Sequence, residues 1–154
     1  MSDIPKIQVT RCDPHDPEAT ALLRASHALM QKLFAEEDNH YLEIDELCAT
    51  GIHFFVARAG TETLGCIALA EKEGYGEVKS MFVADAARGQ GVGAALLAHL
   101  EEEARGLSLP ILRLETGNTL YAAHRLYQRH GFAPRGPFGE YADSPASLFM
   151  EKPL

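Results

Sequence analysis

The chain has 154 residues, of which 46% are apolar and 23% are charged, and its formal net charge is −8. That length suits one domain with a full-sized core, and that composition is typical of globular rather than disordered proteins. The negative charge argues against a nucleic-acid binder and against binding to anionic membranes, and no apolar run reaches membrane-spanning length.

The first third of the chain predicts one strand and one long helix. Residues 6–11 alternate between polar and apolar types, which favours a strand. Asp16 and Pro17 are the residue types that begin a helix, and the apolar residues from 22 to 34 then recur at helical spacing. The polar segment 36–41 breaks this spacing, and it is either a solvated loop or part of the rim of a substrate site.

The middle of the chain predicts a meander. A short second helix over residues 44–47 is followed by three strands over 52–59, 64–70 and 77–83. Short turn-rich connections join these strands, so we expect neighbouring strands to be antiparallel. A glycine-rich turn and a helix over 95–107 come next, and the glutamates of that helix are expected to lie on its solvated face.

The last third predicts a strand over 111–116 that lies parallel to strand 77–83, because a helix separates the two. A further helix carries Tyr127 and ends at a glycine. The final two strands are predicted to begin at 132 and to cover 147–151. The order of elements predicts a single α/β domain over residues 1–154, with a mixed sheet and helices on both faces.

The glycine-rich turn carries the most specific pattern in the chain. Gly89, Gly91 and Gly93 remove side chains from a turn that leads from a strand into a helix, so that a ligand can approach the backbone closely. The first amides of a helix have no partner within the helix, and they attract phosphate together with the charge of Arg88. A tight connection without a ligand remains an alternative, as does the dinucleotide pattern G-x-G-x-x-G/A. A dinucleotide turn normally lies in the first βα unit of a larger domain, whereas this turn lies past mid-chain.

The same turn, residues 88–93, resembles the R/Q-x-x-G-x-G/A signature of the GNAT superfamily of acyl-CoA-dependent N-acyltransferases. Three further segments, 77–83, 112–117 and 126–132, resemble the family on the elements that its fold requires. The resemblance implies a central mixed, mostly antiparallel sheet with helices on both faces. It also implies a V-shaped opening between the strands 77–83 and 111–116, in which acetyl-CoA binds.

The resemblance also implies which residues of this chain bind the cosubstrate. The backbone of the strand would bond the pantetheine arm, and the glycine-rich turn would bind the pyrophosphate. The residues implied to bind acetyl-CoA are Met81, Phe82, Val83, Arg88, Gly89, Gln90, Gly91, Val92, Gly93 and Asn118. Many family members carry an asparagine seven residues before the tyrosine, where this chain has Leu120, so Asn118 is either the replacement or a helix cap.

The chemistry of amide formation suggests which side chains matter. An amine must be neutral to attack a thioester, so a base is useful, and a proton donor near the sulfur improves the leaving group. Tyr127 resembles the family's general acid, with a half-buried aromatic residue as the alternative. Glu77 resembles the position of a base, with an exposed strand residue paired with Lys79 as the alternative. Glu115 is a third candidate that could instead position the amine, and the backbone N–H near Val83 would stabilise the oxyanion.

The three cysteines, Cys12, Cys48 and Cys66, have neither disulfide nor metal-ligand spacing, and the seven histidines predict no metal site. The first residues lack the basic start and apolar core of a signal peptide, so we expect a cytoplasmic protein. No cysteine has the context of an activated nucleophile, which favours direct transfer through a ternary complex.

The resemblance, together with these residues, implies an N-acetyltransferase that moves an acetyl group from acetyl-CoA to a primary amine of a small molecule. The polar segment 36–41 and the turn-rich segment 136–144 are expected to shape the acceptor pocket. A non-catalytic acyl-CoA sensor on the same fold and a protein or peptide N-terminal acetyltransferase remain alternatives. No nucleic-acid or membrane partner is expected, and homodimers are common in the family.

Overall fold

A computed structural model describes residues 6–154. The expectation that the chain has no signal peptide concerns its first residues, and residues 1–5 lie outside the described part. The described residues form a seven-stranded sheet in the order β1-β2-β3-β4-β5-β7-β6. The strands are β1 Ile7–Arg11, β2 Ile52–Ala59, β3 Glu62–Lys72, β4 Tyr75–Val83, β5 Ile111–Gly117, β6 Ala133–Arg135 and β7 Ser147–Pro153. The helices are α1 Pro17–Leu33, α2 Val92–Gly106 and α3 Tyr121–Arg129. Strands β4 and β5 are parallel and the other neighbours are antiparallel, which confirms the predicted mixed sheet.

Helix α1 begins as the sequence predicts and ends differently. The Asp16 side chain accepts a hydrogen bond from the Ala19 N–H at 3.2 Å, and Pro17 is the first helical residue. The predicted apolar face is wrong at its end, because Leu33 is 46% exposed. The predicted second helix is a single 3₁₀ turn, Glu46–Cys48, which buries one leucine.

Two apolar cores lie on opposite faces of the sheet, because successive side chains along each strand point to opposite faces. On β2, Phe54 and Val56 pack toward α1, whereas Phe55 and Ala57 pack toward α2. Helices therefore cover both faces, as predicted. No helix within residues 6–154 has the length and apolar character needed to cross a membrane.

Helix α2 corrects two expectations. It begins at Val92 rather than 95, so that Gly93 lies inside its first turn. The expectation that its glutamates are all solvated is wrong for Glu101, which is 8% exposed and forms an ion pair with Lys152 Nζ at 2.5 Å. The partner lies 51 residues away on β7, and helical spacing alone contains no information about it.

Strands β4 and β5 separate soon after they meet. They pair only at Gly76 with Leu112 and at Glu77 with Arg113, although both strands continue beyond those pairs. A bulge in β4 accompanies the separation: the register against β3 skips a residue next to Ser80, which has a φ of +55°. The V-shaped opening implied by the sequence is therefore present.

Candidate active site

The edge of β4 that faces the opening carries backbone groups without strand partners. The Ala84 N–H donates to the Leu64 carbonyl of β3 at 2.9 Å. Because backbone direction alternates along a strand, the N–H and C=O of Val83 face the opposite side, toward the opening. An extended ligand could therefore bond to this edge as an added strand would.

A buried cysteine on β3 forms a hydrogen bond with the bulge of β4. The Cys66 Sγ–H donates to the Ser80 carbonyl at 3.3 Å, and the Ser80 hydroxyl is buried without a hydrogen-bond partner. Burial raises the pKa of the Cys66 thiol to about 12, so it stays protonated near neutral pH and is not an activated nucleophile.

The glycine-rich turn is open to solvent where a phosphate would bind. Gly89 and Gly91 have φ values of +79° and +80°, which L-residues with side chains rarely adopt, and a Cβ on either would meet nothing within 4 Å. Gly91 is the N-cap of α2, and the first bond of the helix is made by the Ala95 N–H, so the amides of 92–94 have no partner in the helix. Arg88 is exposed and pairs with Asp85 at 3.3 Å.

The third glycine of the turn has a second role beside the one expected. A Cβ on Gly93 would lie 2.7 Å from Leu126 Cδ2 and 3.1 Å from Met81 Cε. Its missing side chain therefore allows β4, α2 and α3 to pack together at the base of the opening. Gly93 therefore has a packing role in addition to the close approach expected of all three glycines.

Tyr127 lies on α3 in the core that α2 covers. It is 5% exposed, and its ring packs edge-on against Phe132 with centroids 5.7 Å apart. Burial, reinforced by the negative charge of Glu115, raises the pKa of Tyr127 well above its ordinary value. The hydroxyl therefore stays protonated at neutral pH, which is the form that donates a proton.

A polar network lies on the other face of the sheet, the face covered by α1. The carboxylate of Glu77 on β4 accepts a hydrogen bond from the Tyr141 hydroxyl at 2.5 Å and lies 3.5 Å from Lys79 Nζ. Lys79 donates to the Tyr141 oxygen and to the His40 carbonyl, both at 2.9 Å. Glu77 is only 4% exposed, so the alternative of an exposed strand residue is wrong, although its pairing with Lys79 is present.

Glu115 on β5 lies near this network without a cation of its own among the described residues. Its carboxylate accepts a hydrogen bond from the Ser147 hydroxyl at 2.7 Å. Desolvation raises the pKa of Glu115, and the hydrogen bond and the charges of His40 and Lys79 oppose that rise only in part. Glu115 therefore takes up a proton more readily than an exposed glutamate does.

The two loops expected to shape the acceptor pocket meet over the network. The rings of His40 and Tyr141 lie edge-on, 5.2 Å apart, and the Ser144 hydroxyl donates to Asp38 at 3.4 Å. Phe34 closes the end of β5, because a Cβ on Gly117 would lie 2.2 Å from its ring. The sequence predicts that the two loops lie here, but it does not single out Tyr141, which lies in an aperiodic segment and is indicated only by its membership of that segment.

Asn118 follows β5 and is exposed, and its backbone N–H donates to the Ala146 carbonyl at 2.9 Å. The alternative that it caps α3 is wrong, because the N-cap residue is Leu120 and no side chain caps that helix. Within residues 6–154, no three His, Cys, Asp or Glu side chains are grouped as metal ligands.

Comparisons with known proteins agree with this architecture. A family model described as "Acetyltransferase (GNAT) domain" matches residues 50–134, more than half of the chain. The chain is 43% identical to an IAA acetyltransferase of Azospirillum brasilense over 98% of this chain and all of that protein.

Solved structures are similar over nearly the whole chain. A protein of Klebsiella pneumoniae named as an acyl-CoA N-acyltransferase superposes with a TM-score of 0.81 at 36% identity, covering 96% of this chain and 97% of that one. PaiA N-acetyltransferase of Thermoplasma acidophilum, solved in complex with coenzyme A, has the same fold, with a TM-score of 0.75 at 16% identity and coverage of 97% and 99%. The chain therefore belongs to the GNAT acetyltransferase family and is an acyltransferase.

Proposed function

We propose that the protein transfers an acetyl group from acetyl-CoA to a primary amine of a small molecule, by direct attack in a ternary complex. The observation that carries the proposal is the opening between β4 and β5. A protonated tyrosine lies on the α2 face of the sheet, two carboxylates lie on the α1 face, and a turn with free amides follows β4.

The residues of the opening fit acetyl-CoA. The unpaired edge of β4 suits the amide groups of the pantetheine arm, and the open turn with free helix amides suits the pyrophosphate. The residues assigned to the cosubstrate are Met81, Phe82, Val83, Arg88, Gly89, Gln90, Gly91, Val92, Gly93 and Asn118. Coenzyme A bound in solved relatives supports this assignment.

Acetyl-CoA supplies an activated thioester when bound, and the chain supplies proton transfer and orientation. Tyr127 is assigned as the general acid, because its raised pKa keeps the proton that a departing thiolate needs. The backbone N–H of Val83 faces the opening and is assigned as the donor to the developing oxyanion. The protonated, buried Cys66 supports direct transfer over a covalent enzyme intermediate.

Glu77 is assigned as the base that takes the proton of the arriving ammonium, and Glu115 is the second candidate. Both carboxylates lie on the α1 face of the opening, where the two loops cover the sheet. The cover of the two loops supports a small acceptor, and the two carboxylates suit a group that arrives with positive charge. The name of the A. brasilense relative adds IAA to the acceptors to be tested.

A transfer assay tests the proposal. Acetyl-CoA is incubated with a panel of primary amines and with IAA, and the released thiol is measured together with the product. Tyr127→Phe is expected to lower kcat roughly 10²- to 10⁴-fold while the thermal shift with acetyl-CoA is kept, because the ring remains and only the proton donor is lost. Tyr121→Phe on the same helix is the control, because Tyr121 is 62% exposed.

The outcomes separate the alternatives. Binding of acetyl-CoA without turnover of any acceptor would favour the non-catalytic sensor. Turnover that Tyr127→Phe leaves intact would remove the acid assignment and keep the acyltransferase.

A further inference from the structure

The assigned base does not face the acceptor pocket directly. Glu77 is 4% exposed, and Tyr141, from the loop between β6 and β7, covers its carboxylate with a hydrogen bond of 2.5 Å. Tyr141 itself is only partly buried. Of these two hydrogen-bonded groups, Tyr141 is therefore the more accessible to an acceptor that enters between the two loops.

The hydrogen bonds around the Tyr141 hydroxyl fix the direction of its proton. Lys79 is a donor only, so the 2.9 Å contact between its Nζ and the Tyr141 oxygen makes that oxygen the acceptor. The proton of the hydroxyl must then be donated to Glu77. Burial and the Glu77 charge raise the pKa of Tyr141, so the hydroxyl stays protonated in the resting protein.

Three contacts hold the ring in this position independently of the hydroxyl. The ring lies 5.2 Å from Phe138, 5.6 Å from Phe149 and 5.2 Å from the ring of His40, centroid to centroid. Lys79 also donates to the His40 carbonyl, which ties the other loop to the same ammonium. The hydroxyl can therefore be removed while the ring stays in place.

We propose that the Tyr141 hydroxyl relays the proton of the acceptor to Glu77. This rests on the proposed function, since it requires an ammonium acceptor. In the step, an N–H bond of the ammonium breaks as its proton forms a new O–H bond with Tyr141. The original O–H bond of Tyr141 breaks as that proton passes to a Glu77 oxygen. The acceptor is left as a neutral amine, Glu77 as a carboxylic acid, and Tyr141 unchanged, so charge and protons balance.

The experiment compares Tyr141→Phe with Tyr75→Phe. Tyr75 belongs to the same aromatic cluster, with its ring 5.5 Å from Phe138, but it donates no hydrogen bond to Glu77. The kcat/KM of each variant is measured with two acceptors of similar size, one an alkylamine protonated at the assay pH and one a weakly basic amine that is already neutral. Thermal melting and acetyl-CoA affinity are measured in parallel.

We expect Tyr141→Phe to lose about 10²-fold or more in kcat/KM with the protonated alkylamine and much less with the neutral amine. Acetyl-CoA affinity should change little, and the melting temperature should fall by only a few degrees because Glu77 keeps Lys79 as its partner. Tyr75→Phe should keep both activities. A merely structural role for Tyr141 would lower both activities alike, because packing does not distinguish a protonated amine from a neutral one.

Three results would overturn the relay. Full or raised activity of Tyr141→Phe would mean that Glu77 or another base takes the proton directly. An equal loss with both amines, or an equal loss in Tyr75→Phe, would assign the effect to packing. If the unchanged protein turns over no amine at all, the proposed function fails and the relay with it, and the inactive wild type distinguishes this case from the others.

Discussion

The two sides of the β4–β5 opening are built by different means. On the side of α2 and α3, Tyr127 contributes one hydroxyl to an apolar core, and aromatic rings and leucines pack around it. On the side of α1, Glu77, Lys79 and Tyr141 hold one another through hydrogen bonds and charge, and Glu115 lies near them. On the first side the proposed acid can be tested by removing one hydroxyl while the packing stays, whereas on the second side removing a charged group also affects stability.

The largest expected effect on stability comes from breaking the ion pair of the polar side. Lys79→Met keeps the aliphatic stem of the side chain but leaves Glu77 buried without a cation, and removal of one partner of a buried pair costs about 3 kcal/mol or more. For a domain of this size the melting temperature should fall by roughly 6–12 °C. Lys72→Met at the exposed end of β3 is the control and should change stability by no more than about 0.5 kcal/mol.

The double variant Glu77→Gln with Lys79→Met sharpens this test. If an uncompensated carboxylate causes the loss, removing that charge as well should recover much of it, so the two substitutions will not be additive. A Lys79→Met protein as stable as the wild type would show that the network needs no cation, and the contrast between the two sides would then disappear.

A smaller loss is expected where an apolar contact closes the polar side. In Gly117→Ala the new Cβ would lie 2.2 Å from Phe34 Cζ, so the ring must move. Overpacking costs about 1–3 kcal/mol, and the gain from replacing glycine in a strand is about 0.5–1 kcal/mol, so a net loss near 1 kcal/mol should appear in chemical denaturation. Gly136→Ala is the matched control, because a Cβ there meets nothing within 4 Å. A stabilised Gly117→Ala would mean that Phe34 gives way freely.

The contrast between the two sides also explains what could be predicted from the sequence. Local information predicts the strands, the parallel pair and the position of Tyr127. This information consists of apolar residues that recur every two or every 3.6 residues, a glycine turn, and the seven-residue motif 126–132 at the end of α3. The polar network follows from contacts between aperiodic loops and β4, where Lys79 reaches across 39 residues to His40 and 62 residues to Tyr141. No local sequence pattern indicates contacts between residues so far apart in the chain. The sequence therefore predicts that the loops lie near the pocket but not which residues they contact.

Two of the errors in the helices have the same origin. Glu101 was expected to be solvated because its neighbours are, yet Lys152 on a distant strand pairs with it. The short helix predicted over 44–47 is a single 3₁₀ turn, because so short a helix is marginal by itself and this segment is held by the packing of Leu47 and Ile44 against the core. In each case tertiary contacts decide what local spacing leaves open.

The smallest expected effect is a gain in stability on the polar side, from Glu115→Gln. The folded protein raises the pKa of Glu115 above its ordinary value near 4.5, so the ionised carboxylate is less favourable in the folded state than in the unfolded one. At pH 7 this destabilises the wild type, and glutamine, which can still accept the Ser147 hydrogen bond, removes the effect. As the pH falls through the raised pKa toward 4.5 and below, the wild-type carboxyl is protonated in both states and the advantage should vanish. Paired melting curves at pH 7 and pH 4 measure it, and a Glu115→Gln protein less stable than wild type at pH 7 would mean that His40, Lys79 and Ser147 outweigh the desolvation of the carboxylate.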